Sequence, residues 1–195
     1  RKEFLTARDL AERLLVTESI EHYDKAISID PKFALAELNR AGVSATAKEF
    51  FEHLAKAVSL SGSASNGERL LILATEAGAN NNTPKQKEYF DQLEAAYPGD
   101  ERAHFNIGGY FFWQQDFPKA TEHYKKATEL APPYSPAFNI LGYAYRQNGD
   151  YAKMFRRAHS PDRRPRRGHC VSPHGYWPGD ARGPETPPAG TAACW

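Results

Sequence analysis

Residues 100–133 read DERAHFNIGGYFFWQQDFPKATEHYKKATELAPP. Two stretches with apolar residues at helical spacing flank the polar Gln114-Gln115-Asp116, and Pro132-Pro133 closes the second. Gly108 and Ala120 place small residues on both stretches, so two helix backbones can approach closely. Tyr124 and Phe111 then fill the space between that pair and its neighbours. The segment reads as a helix-turn-helix unit that cannot bury both apolar stripes alone.

The same register recurs along the chain. Ala7, Ala41, Ala74, Gly108 and Gly142 follow one another at spacings of 34, 33, 34 and 34. Ala26, Leu93 and Ala127 lie 19 residues after the first, third and fourth, whereas the second unit reaches Ala57 after 16. Tyr23, Leu54, Phe90 and Tyr124 stand three residues before these, and Pro31, Gly62, Pro98 and Pro132 stop the helices five residues after them. The second unit is expected to have an inter-helix turn about three residues short, with Phe50 at a usually small position. The third carries Gln86 at the same kind of place. Ser135-Pro136 reads as a helix start, Ser as cap and Pro as first helical residue.

These residues resemble the tetratricopeptide repeat (TPR) family. Gly108, Phe111, Phe117, Ala120, Tyr124, Ala127 and Pro132 fall at its signature places, and Phe138, Leu141, Gly142, Tyr145, Gly149, Asp150 and Tyr151 open the next unit equally well. The resemblance implies an all-α fold, a right-handed α-α superhelix of about 4.5 helix-turn-helix repeats over residues 1–154, with an irregular C-terminal tail.

Residues 155–195 differ in kind. They carry 7 Arg, no Lys and 3 acids, hold seven of the fourteen prolines, and contain neither Leu nor Ile. That composition cannot build a packed core. The Arg/Pro/Gly-rich segment reads as readily as a GC-rich gene translated in a shifted frame, or an appended foreign segment, as it does a genuine tail. The net +1 charge of the whole chain thus hides −3 over residues 1–154 and +4 over residues 155–195.

No enzyme emerges from the residue types. Residues 61–67, SGSASNG, never spell a nucleophile elbow and read as a long inter-repeat turn. Gly108-Gly109 lacks the glycines and strand of a phosphate loop. His22, His53, His104 and His123 are read as surface or groove histidines without a partnered nucleophile. His159, His169, Cys170, His174 and Cys194 fit no zinc spacing, so neither metal nor cofactor is expected. The run Arg163-Arg164-Pro165-Arg166-Arg167 has no helix or aromatic platform, and no nucleic-acid partner is expected. The longest apolar run, residues 70–74, is too short to span a bilayer. A soluble chain is expected, cytoplasmic or exported with its signal already removed, since no Met opens it.

What remains is a surface for another protein. The family resemblance implies that the first helix of each unit lines a concave groove. Arg102, Phe105, Asn106, Gly109, Phe112 and Trp113 would face it from the fourth unit. Asn139, Tyr143, Arg146 and Gln147 would follow from the fifth, and Glu68, Leu71 and Thr75 from the third. Trp113 and Tyr143 are the expected anchors of a peptide or protein partner. The carboxylate clamp of some family members would need Lys, Asn and Arg where Phe4, Arg8, Asn39, Glu68 and Ile72 stand; only Asn39 agrees, so no such clamp is expected. The alternative is a regulatory or docking fragment of a larger multidomain protein or enzyme. Phe138, Leu141 and Tyr145 form one stripe that lacks a complete second helix, which suggests end-to-end homodimers or capping by Tyr176, Trp177 or Trp195.

Overall fold

The computed structural model describes residues 1–132 and 134–153. Among these there are nine α-helices and no strand: α1 Lys2–Glu12, α2 Val16–Ile29, α3 Ala34–Gly42, α4 Ala47–Leu60, α5 Asn66–Ala79, α6 Thr83–Ala96, α7 Glu101–Trp113, α8 Phe117–Leu130 and α9 Ser135–Gln147. Four hairpins, α1/α2, α3/α4, α5/α6 and α7/α8, stack in chain order, and α9 packs on α8 as the first half of a fifth. The expected all-α right-handed superhelix of helix-turn-helix units is the fold observed. The Arg/Pro/Gly-rich tail, its His/Cys set and its three aromatic capping candidates lie outside the described residues.

Local sequence explains the breaks. Helices α2, α4, α6 and α8 each end two residues before Pro31, Gly62, Pro98 and Pro132. The Asp100 carboxylate accepts from the amides of Arg102 and Ala103 at the start of α7, and Asp116 accepts from Lys119 at the start of α8. Ser65 and Glu68 form a capping box at α5, after a short 3-10 turn at Ser61–Ser63. Four inter-helix turns contain one residue with positive φ: Leu14 (63°), Asn81 (56°), Gln115 (61°) and Gly149 (78°). In each, the next amide bonds back over the turn, for instance Asp116 to the Phe111 carbonyl at 3.0 Å, so the helix closes in a Schellman arrangement.

The core is a string of small clusters, each joining a hairpin to the first helix of the next. Phe4, Ala7, Tyr23 and Ala26 meet Ala36; Leu38, Leu54 and Ala57 meet Ile72; Leu70, Phe90 and Leu93 meet Ile107 and Tyr110. This nearest-neighbour arrangement is what a repeated register dictates. Gly108 is required inside the fourth hairpin, because a Cβ there would lie 2.8 Å from the Tyr124 ring.

Several expectations need correction. The second unit is short because α3 stops at Gly42 after nine residues, whereas its turn is no shorter than the others. By register, Phe50 stands opposite the turn of helix that α3 lacks, which is why a large ring is tolerated there. Gln86 is accommodated the opposite way: its amide fills the space a side chain at Gly78 would need. Helix α9 begins at Ser135 itself, with Tyr134 at the cap position and no side-chain cap. Tyr134 is held there by packing, its ring buried against Phe105. The stripe on α9 is also not left in water. Leu141 and Tyr145 are buried with Ala120 and Tyr124, alongside Phe111 and Phe112, and Phe138 is half-buried. That burial withdraws most of the apolar face on which end-to-end association was expected.

Candidate functional site

Helices α5, α7 and α9 carry the residues assigned to the groove. Their helical register brings Glu68, Leu71, Arg102 and Asn106 together around a pocket of about 230 Å³, with Ser65, Gly67 and Tyr97 completing its wall. Glu68 is committed to the capping box, and the Asn106 amide donates to the Arg102 carbonyl at 2.7 Å. Leu71 is partly buried against two of the core clusters. Phe105 lies inside the array, its ring 5.8 Å from Tyr124 and 5.3 Å from Tyr134. Phe112 is half-buried, edge-on to Phe117.

Of the remaining groove residues, Gly109 and Thr75 are half-buried, the Thr75 hydroxyl donating to the Leu71 carbonyl at 2.9 Å, and the others are exposed. Trp113 is 72% exposed and Tyr143 is 40% exposed, while Asn139, Arg146 and Gln147 are exposed along the same helix as Tyr143. They do not line the pocket. Phe4 and Ile72, two of the positions compared with a carboxylate clamp, are buried in the core and cannot touch a partner.

Arg102 has a neighbour that repeat spacing does not reveal. Its Nη1 donates to the Glu12 carboxylate at 2.6 Å, joining α7 to α1 across 90 residues of sequence. Its guanidinium also lies 4.8 Å from the centroid of the Tyr134 ring. Burial works against its charge, but the hydrogen bond to Glu12, with Tyr134 and Glu101 near, holds its pKa above the ordinary arginine value.

A second feature went unread in the sequence. In the first, second and fourth units the residue four before the small residue pairs with the residue just before the second helix's signature position. His22 Nδ1 meets Glu3 at 2.6 Å, and His53 Nδ1 meets the buried Glu37 at 2.5 Å. In the fourth unit the Glu is replaced by His104, whose Nδ1 lies 3.2 Å from Nδ1 of His123. His104 is only 5% exposed, so it is neither a surface nor a groove histidine. The spacings of 19, 16 and 19 match those of the small residues, and this match was the available signal. Glu94, at the end of α6, brings a carboxylate oxygen to 3.9 Å from each of the two Nδ1 atoms. Phe111 stacks on the His123 ring. Burial pushes the His123 imidazole below its ordinary pKa, against the pull of Glu94 and with the help of His104.

No protein-family model matches the chain, and no curated protein matches it significantly. Solved structures do resemble it. One is PilW, described as a widely conserved type IV pilus biogenesis factor: 23% identical, TM-score 0.51, covering 80% of this chain and 74% of that one. Another is the Cut9-Hcn1 hetero-tetramer of the APC/C, 20% identical with a TM-score of 0.53 over 80% of this chain and 35% of that chain. A tetratricopeptide repeat protein from Parabacteroides merdae is 17% identical, TM-score 0.46, over 80% and 62%. At these identities the likeness establishes the fold and nothing finer. Among the described residues no helix is long and apolar enough to cross a membrane.

Proposed function

On the premise that the chain is a tetratricopeptide-repeat solenoid, we propose that it is a non-catalytic scaffold holding a protein or peptide partner on the first helices of its fourth and fifth units. The observation that carries this reading is the exposure of Trp113 and Tyr143, two large rings on α7 and α9. Fully burying a large apolar side chain is worth roughly 1.5–3 kcal/mol, and a partner that covers the exposed part of each ring recovers the corresponding share, larger at Trp113 than at Tyr143. Asn139 and Arg146 sit exposed on the same helix as Tyr143 and supply amide and cationic contacts at the rim. Arg102 and Asn106 extend the surface into the pocket beside α5.

The test is affinity for a partner recovered with the full chain. Trp113→Ala and Tyr143→Ala should each weaken binding by about 2 kcal/mol. Asn39→Ala, at the one clamp-like position, should leave it unchanged. Full affinity in both aromatic variants would place the partner elsewhere on the array.

A further inference from the structure

We propose that Glu94, His104 and His123 bind a divalent transition-metal ion of the zinc class at the junction of the third and fourth helix pairs. One ligand atom from each of the three residues lies within 4.8 Å of the other two. The Nδ1 atoms of His104 and His123 are 3.2 Å apart, and each is 3.9 Å from the same Glu94 oxygen. The point equidistant from these three atoms is about 2.1 Å from each, within the range of zinc–nitrogen and zinc–oxygen bonds.

The surroundings hold the donors in the right form. His104 Nε2 lies 3.0 Å from the Pro98 carbonyl, which can only accept, so Nε2 carries the hydrogen and Nδ1 keeps its lone pair. A backbone carbonyl on the far nitrogen is the usual outer partner of a metal-bound imidazole. His123 is held by the stacked Phe111 ring at 5.3 Å. When an ion enters, the His123 proton sits on Nε2 and both Nδ1 atoms face the ion. Glu94 is 44% exposed, which gives the ion an entry path and leaves room for water as a further ligand. Two imidazoles and one carboxylate favour zinc, nickel, cobalt or copper over magnesium or calcium.

The two earlier histidine pairs supply the internal contrast. His22 and His53 each face a glutamate, and neither belongs to a group of three donors among the described residues. In the fourth unit a second imidazole replaces that glutamate, and the preceding unit provides the carboxylate. An ion here would tie α6 to α7 and α8, bridging two repeats.

Cobalt(II) absorption and zinc calorimetry on the full chain test the proposal, with thermal unfolding as a second readout. The tail holds Cys170 and Cys194, so a Cys170→Ser/Cys194→Ser chain is measured in parallel. The expected result is one ion per chain, with ligand-field bands but no thiolate charge transfer, and a raised unfolding midpoint in both chains. Glu94→Gln, at an exposed position, should weaken binding by about tenfold or more and abolish the midpoint shift. His123→Gln should do the same. Binding that vanishes with the cysteines, or survives unchanged in Glu94→Gln, overturns the proposal. So does an absence of saturable uptake at micromolar ion.

Discussion

The ring of Tyr124 occupies the space in which a side chain at residue 108 would begin, 2.8 Å from the position of its Cβ. Two helices of one hairpin therefore touch through a glycine and a tyrosine. Gly142 stands at the equivalent place in the fifth unit, yet among the described residues a Cβ there meets nothing within 4 Å. The same substitution should act with opposite sign at the two sites. Gly108→Ala should cost about 1–3 kcal/mol through overpacking. Gly142→Ala should gain up to about 1 kcal/mol from helix propensity. Urea unfolding of both variants checks the pair.

Leu14 adopts φ of 63° at the turn after α1, with its side chain 77% exposed. A left-handed conformation costs an L residue about 1–2 kcal/mol, and little packing is lost if the exposed side chain is removed. Leu14→Gly should stabilise the chain by about 1 kcal/mol, raising the thermal midpoint by about 2–4 °C. Gln115→Gly should follow the same direction, since Gln115 occupies the same place in the fourth unit at φ of 61°. No gain at Leu14 would mean that its left-handed turn carries little strain.

Burial pushes the Tyr23 hydroxyl up to about 12, outweighing the opposing charge of Arg8, and Tyr124 is raised by burial alone. In the unfolded chain a tyrosine loses its proton near pH 10. Between these values the folded state holds protons that the unfolded state has released. The stability that these tyrosines contribute is thus complete below about pH 10 and lost as the pH rises through 12. Urea midpoints measured from pH 8 to 12 should fall over that window, with the ionisation of the buried tyrosines appearing together with unfolding. Tyr23→Phe should make the fall shallower.

The Glu12–Arg102 bond joins partly exposed groups, so its contribution should be near 1 kcal/mol. A double-mutant cycle with Glu12→Gln and Arg102→Gln should return a coupling of that size, decreasing with salt. Small-angle scattering should show a larger radius of gyration for Glu12→Gln. An unchanged radius would mean that packing between units alone sets the curvature.

Much of this architecture was legible because each hairpin reuses one register: Ala7, Ala74 and Gly108 predict where Ala26, Leu93 and Ala127 pack, and the buried set follows. The second unit was misread because a count from Ala41 to Ala57 cannot say whether three missing residues come from helix or from turn. Packing decides it, since Phe50 needs the space that a longer α3 would occupy. The start of α9 was misread because Ser135 is a good cap only when the chain enters the helix freely, and Tyr134 is held by its buried ring instead. The exposure of Trp113 could be inferred from the four consecutive aromatics at residues 110–113, more than one helix face can bury, whereas nothing comparable on α9 marks Tyr143. The pairing of His104 with His123 could not be seen residue by residue, because a lone polar residue on an apolar helix has no visible partner until the hairpin closes.

A stack of repeats in which each unit touches only its neighbours should fray from its ends, because releasing the terminal unit breaks a single interface. The contact between Glu12 and Arg102 changes that arithmetic, since peeling away the first hairpin breaks the join to α3 and the bond to α7 together. The first and fourth units are therefore coupled directly, by about 1 kcal/mol, without passing through the second and third. Amide hydrogen exchange along the chain would then show α7 losing a small part of its protection whenever α1 is released, as in a closed loop rather than a row of dominoes.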